Sequence, residues 1–167
     1  DNVTSSEARA NGITGGVDVD TITTLELSTI DVTANALARD NNVTGTFLIG
    51  FSAADANSKA ESFATGISGD AGNDIIDLQG TLDASATSVA NSRSISFNTA
   101  GASILKADTV AEATATGVSG GDGNDTITNA ATISVNSNAN NLGRTVGIVE
   151  LGATFGMAAS TADAKAY

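Results

Sequence analysis

Six aspartates stand in three short glycine-rich segments. Asp18 and Asp20 lie in GGVDVDTIT from Gly15, Asp70 and Asp74 in GDAGNDIID from Gly69, and Asp122 and Asp125 in GGDGNDTIT from Gly120. Carboxylates this close in a turn can hold a hard cation or work as an acid/base pair. They can also cap the turn by accepting backbone N–H groups while glycine supplies positive φ. The rest of the chain gives catalysis no tools. There is no His, hence no imidazole base, no His metal ligand and no Ser-His pair. The few cations, such as Arg93, Arg144 and Lys106, are scattered along the sequence, and Tyr167 is the only Tyr or Trp, so a sugar-cleaving cleft has no aromatic platform. The acidic pairs recur from segment to segment, which suits a structural corner better than an active site. The expectation is therefore no enzyme, with a polysaccharide-processing β-helix as the catalytic rival.

The elements that must position these turns are copies of one unit. SEARANGITGGVDVDTIT from Ser6, AESFATGISGDAGNDIID from Ala60 and AEATATGVSGGDGNDTIT from Ala111 align without gaps. The columns follow directly: Glu7, Glu61 and Glu112; Ala10, Ala64 and Ala115; Gly12, Gly66 and Gly117; Asp20, Asp74 and Asp125. The glycine column is spaced by 54 and then 51 residues, and a two-residue insertion after Asp20 explains much of the difference. Residues 1–167 read as one array, with units at about 7–60, 61–111 and 112–167.

Within a unit the apolar period is two. Ile30, Val32 and Ala34 correspond to Leu82, Ala84 and Ala86 and then to Ile133 and Val135, with Thr, Ser, Asp or Asn between, as in strands buried on one face. Ile13, Ile67 and Val118 precede the Gly/Asp turn, and Ile22, Ile76 and Ile127 follow it. Val43, Ile95 and Val146 share a further column, so at least four short strands are expected per unit. No segment carries a 3.6-residue stripe, and the Ala-rich stretches SAADANSKAESFA and MAASTADAKAY are read as irregular or strand. The prediction is an all-β parallel β-solenoid, or β-helix, of about three ~51-residue repeats stacked in register. At about 3.3 Å per residue one unit is far longer than a usual coil perimeter, so it holds two coils or one coil with an arm.

Hydrophobic residues make up 41% of the chain but aromatics only 4%. The interior must then be narrow and lined by small side chains. Seven basic against nineteen acidic residues give a net charge of −12, which opposes nucleic acid and anionic lipid and favours cations as partners. The absence of Cys excludes disulfides. No 18-residue apolar run and no leader pattern are present, so no membrane span is expected. Sequons at Asn2, Asn42 and Asn124 carry little weight in so Asn- and Thr-rich a sequence.

The segment Gly120–Thr128 matches the nonapeptide G-G-x-G-x-D-x-U-x at every specified position, and here the chain resembles RTX-type, or haemolysin-type, calcium-binding repeats. The resemblance implies Ca2+ held by turn carbonyls and by Asp122, Asp125, Asp70, Asp74, Asp18 and Asp20. Two copies depart from the pattern, with Asp70 at the second glycine and Asp18 at the third. One turn per unit replaces tandem turns, so a complete shell would need turns stacked from different units. Stacked carboxylates would repel without a counterion or protonation, and turn capping stands as the alternative to calcium.

The recurring ATGISG, GND and Ala/Thr/Ser-rich strand pattern also resembles the passenger regions of large bacterial adhesins and autotransporter-like surface proteins. That resemblance implies export to the cell surface or extracellular space and a structural role as stalk, sheath or filament. It also implies self-association by coil stacking, end to end with other copies. An ice- or surface-binding solenoid is the second reading. Its Thr rows are broken, because Thr21 and Thr126 share a column with Ile75, and Thr23 and Thr128 share one with Asp77.

Overall fold

A computed structural model describes residues 3–167; the sequon at Asn2 lies outside them. The chain runs through β1 (Val3–Gly16), β2 (Thr21–Thr23), β3 (Thr29–Asp70), β4 (Ile75–Leu78), β5 (Thr81–Ser119), β6 (Thr126–Asn129) and β7 (Thr132–Ala166). No helix occurs among the described residues. The long strands pair in the order β1-β3-β5-β7 and the short ones in the order β2-β4-β6, every pair parallel. Sequential strands that pair in parallel after a full circuit make a β-solenoid.

The register matches the sequence columns. Glu7 pairs with Glu61 and Glu61 with Glu112; Ala10 pairs with Ala64 and Ala64 with Ala115. One circuit of the backbone therefore takes one whole unit. The first circuit is longer than the next by three residues, and the ladders locate all three. Thr23 pairs 54 residues on, with Asp77, whereas Thr29 pairs 52 on, with Thr81. Two extra residues thus sit in the corner between β2 and β3. The third is a bulge between Thr46 and Ile49, after which the offset is 51.

Of the two sequence alternatives, the structure takes one coil with an arm. Ser88 Oγ donates to the Glu112 carbonyl (2.5 Å), Ser92 Oγ to the Asp108 carbonyl (2.6 Å) and Ser94 Oγ to the Lys106 carbonyl. These partners close in on Gly101, where φ is 123°. β5 therefore folds back on itself. Its outgoing wall runs to Ala100 and its return wall begins at Gly101, so a unit has two extended walls and one short strand where at least four short strands were expected. Gly50, Gly101 and Gly152 pair in one column. At Gly101 and Gly152, positive φ and a backbone pressed against the coil beneath leave no room for a side chain, since a Cβ would collide with the carbonyl of Gly50 or of Gly101.

The interior tapers. Ile22, Ile67, Ile76, Leu78 and Leu82 fill the wide end beside the short strands. Next come Val32, Ala34, Ala64, Ala86, Ala113 and Ala115, then Ala36, Ala38, Ala60, Ala90 and Ala111. Further along the arm buried serines meet across it, Ser58 with Ser92 at 2.9 Å and Ser52 with Ser96 at 2.6 Å. Side chains this short are what allow two walls to close with almost nothing between them, and the buried serine hydroxyls find partners, whereas Thr44 Oγ1 is buried without one. Asn42, the second sequon, is also drawn inward, its Nδ2 donating to the Asp55 carbonyl (2.7 Å).

The Ala-rich stretches are strand throughout, in β3 and β7. The Val43, Ile95 and Val146 column exists as aligned, but it is on the outward face, with Val43 and Val146 exposed. It is flanked by interior-facing positions and so falls on the other side of the pleat.

Candidate functional site

The Gly/Asp segments form the corners that join each return wall to a short strand. Asp20, Asp74 and Asp125 stack in one column. The Asp20 N–H donates to Asp74 Oδ1 (2.8 Å), and the Asp74 N–H donates to Asp125 Oδ1 (2.9 Å). The backbone continues the column, with Ile75 N–H donating to the Asp20 carbonyl (2.9 Å) and Thr126 N–H to the Asp74 carbonyl (2.8 Å). Asn73 adds a parallel link, its Oδ1 accepting the Asn124 N–H (2.8 Å). The Asp74 and Asp125 carboxylates thus each satisfy a donor of the coil beneath, where no regular ladder reaches. Asp74 is 1% exposed, and its Oδ2 has no partner. That oxygen faces Gly69, where a Cβ would collide with it.

The other three predicted ligands do not join this column. Asp18, Asp70 and Asp122 are exposed, and they occupy three different columns. Asp70 aligns with Gly16, Asp122 bridges to Ala71, and the Asp18 carbonyl lies against Gly72. Asp70 accepts a hydrogen bond from Ser68 Oγ (2.6 Å). Among the described residues no three acidic side chains converge on one point. Oδ1 of Asp74 and of Asp125 each accept an N–H, so these side chains form a hydrogen-bonded column.

The departures from the nonapeptide have local reasons. Gly16 and Gly121 have φ of 126° and 95°, and Asp70 between them has φ 69°, the one non-glycine residue with positive φ among those described. Asp is among the residues that tolerate this region. Gly72 and Gly123 press on the carbonyl beneath them, of Asp18 and of Gly72 respectively. No described coil lies under Asp18, so a side chain fits there.

The basic residues are not scattered as the sequence suggested. Lys59 pairs with Glu61 (2.9 Å), Lys106 with Asp108 (2.7 Å), Lys165 with Asp163 (2.8 Å), and Arg9 with Glu7. In each pair the partners are two residues apart, the spacing that puts both on one face of a strand. Arg9 also lies over the Phe63 ring, 4.4 Å from its centroid. Hydrogen bonds to Glu61, Asp108 and Asp163 hold the three lysine ammoniums above the ordinary value of 10.5. The remaining cations, Arg39, Arg93 and Arg144, share one shallow depression on the outgoing wall. Reading down the columns of the unit alignment, where Arg93 sits under Arg144, is the signal that would have found it.

No helix of the described residues is long and apolar enough to cross a membrane. No protein-family model matches the sequence, no curated protein is significantly similar to it, and no solved structure matches its fold significantly.

Proposed function

We propose that this chain is a structural segment of an extracellular adhesin-like repeat protein, a building block of a sheath, stalk or filament whose chief interaction is coil on coil. The observation that carries this reading is the register-locked stack. Both walls of each coil belong to one parallel sheet, and among the described residues β1 and β7 each pair on one side only. A parallel edge with free N–H and C=O groups is a template for more of the same structure. The absence of imidazole and the hydrogen-bonded use of the turn aspartates support a non-catalytic role. The ice-binding alternative loses support from the register, since Thr21, Ile75 and Thr126 do stack, as do Thr23, Asp77 and Thr128, and neither row is uniform.

Sedimentation velocity over a concentration series tests the stacking. Association should rise with concentration. It should be abolished by Ala158→Lys with Ala162→Lys, which places charge at two exposed positions of the β7 edge, in line with the buried Ala107 and Ala111 of β5, while circular dichroism stays unchanged. A chain that remains monomeric at every concentration removes self-stacking from the proposal.

A further inference from the structure

Seven basic residues serve this chain, and four are neutralised by a carboxylate two positions away. Among the described residues Arg39, Arg93 and Arg144 have no carboxylate partner. They are exposed on the outward face of the outgoing wall, in two adjoining columns. Arg39, Asn91 and Leu142 form one column, and Asn41, Arg93 and Arg144 the other. Together with Ser92 these residues line a depression of about 210 Å³. Arg93 and Arg144 are direct ladder neighbours, about 4.8 Å apart at the backbone, and two guanidiniums so placed repel unless an anion lies between them.

In a chain of net charge −12, the outward positions near this row are free of acid. On the same face the nearest carboxylates along the strands are Asp31, Asp83 and Glu150. They are separated from the arginines by six to ten residues, or about 20–33 Å. That exceeds the Debye length of about 8 Å at physiological salt. Asp40, next to Arg39, is buried on the inner side of the wall with Oδ2 accepting the Asn57 N–H (3.0 Å), and it offsets part of the positive field that the three arginines set up on the outer side.

We propose that the arginine row is a binding site for a carboxylated polysaccharide of the uronic-acid class. The guanidinium fork matches a carboxylate with two parallel hydrogen bonds. Asn41 and Asn91 stand beside the forks with amides that both donate to and accept from ring hydroxyls. The depression is smaller than the ~300 Å³ at which pockets for whole small molecules begin, so it takes one or two rings of a longer chain. A peptide adding itself as a strand engages the backbone groups along a sheet edge, whereas these guanidiniums stand on the outward face of the wall. Single-stranded nucleic acid binds by stacking on aromatics, and the lining has none.

Isothermal titration of the full chain with oligogalacturonate tests the assignment, with a neutral oligosaccharide of equal length and poly-aspartate as comparison probes. Oligogalacturonate should bind, and the neutral oligomer should not. Arg93→Gln with Arg144→Gln should weaken binding at least tenfold with an unchanged dichroism spectrum. Lys59→Gln with Lys106→Gln on the return wall should leave it intact. Absence of oligogalacturonate binding, or equal loss in both double variants, overturns the site. Poly-aspartate binding that equals oligogalacturonate and depends on the same arginines overturns the saccharide assignment.

Discussion

Asp125 Oδ1 accepts the backbone N–H of Asp74 at 2.9 Å, across the gap between two successive coils. This bond does at the corner what the ladder does along the walls. Asp125→Ala should strand the Asp74 donor and destabilise the fold by about 1–3 kcal/mol, read from the urea midpoint. Asp125→Asn keeps an acceptor and should lose less. The wild-type midpoint should be the same in millimolar calcium and in chelator. A calcium-dependent rise that disappears in Asp125→Ala would instead make the corner an ion site.

Asp70 occupies a left-handed position, φ 69°, that Gly16 and Gly121 fill in the neighbouring coils. Relief of that strain favours Asp70→Gly, and the Ser68 hydrogen bond opposes it. The strain involves the backbone and the bond is exposed at one end, so strain should win. The variant is expected to gain up to about 1 kcal/mol, measured by thermal or denaturant unfolding. A loss would mean that the Ser68 contact is the stronger term.

The taper sets opposite tolerances at its two ends. Ala86 is fully buried between walls spaced for alanine, so Ala86→Leu should cost about 1–3 kcal/mol or more by forcing the walls apart. Leu82, at the wide end, should show the reverse sensitivity, with Leu82→Ala costing about 2–5 kcal/mol through the cavity it leaves. An Ala86→Leu variant as stable as wild type, or a Leu82→Ala variant with no loss, would argue against the narrowing interior.

The lysine pairs contribute on the acid side of their titration. Because Glu61 holds the Lys59 ammonium above 10.5, the stabilisation is fully present below about pH 10.5 and is lost as pH rises through the folded-state value. The pair is solvent-exposed, so the effect is small and screened by salt. The stability difference between wild type and Lys59→Gln should therefore shrink between about pH 9 and pH 12, as read from denaturant midpoints. A difference that grows over that range would contradict the pairing.

Much of the stack was legible in the sequence because stacking repeats the same demand at the same place. Glu7, Glu61 and Glu112 align in the text of the chain and pair in the ladder. The all-β parallel fold and the small-residue interior follow from that repetition. The fold-back at Gly101 was not legible, because two walls meeting across an arm leave the same alternating pattern as two separate strands. Only the choice of Ser58 and Ser92, or Ser52 and Ser96, as facing pairs records it, and nothing in a single strand announces its opposite number. The corner residues were named, and the alignment had already placed three of them in one column. Asp20, Asp74 and Asp125 share a column, whereas Asp18, Asp70 and Asp122 differ by one or two positions of offset, which in a turn is enough to point them apart.

The folded-back arm also governs how the molecule would answer force. The ladder between β3 and β5 runs from the Thr29 and Thr81 pair to the Ser68 and Ser119 pair, and its hydrogen bonds lie along the stacking axis. Tension along that axis must part this whole row at once, as when a glued seam is pulled straight open. Tension on one strand end opens the same row a bond at a time, as a zip opens. A long perimeter yields little length, about 4.8 Å per circuit of 51 residues, but it multiplies the bonds that share the load. On the proposed structural role, the stack would share load across a broad seam more than it would gain reach.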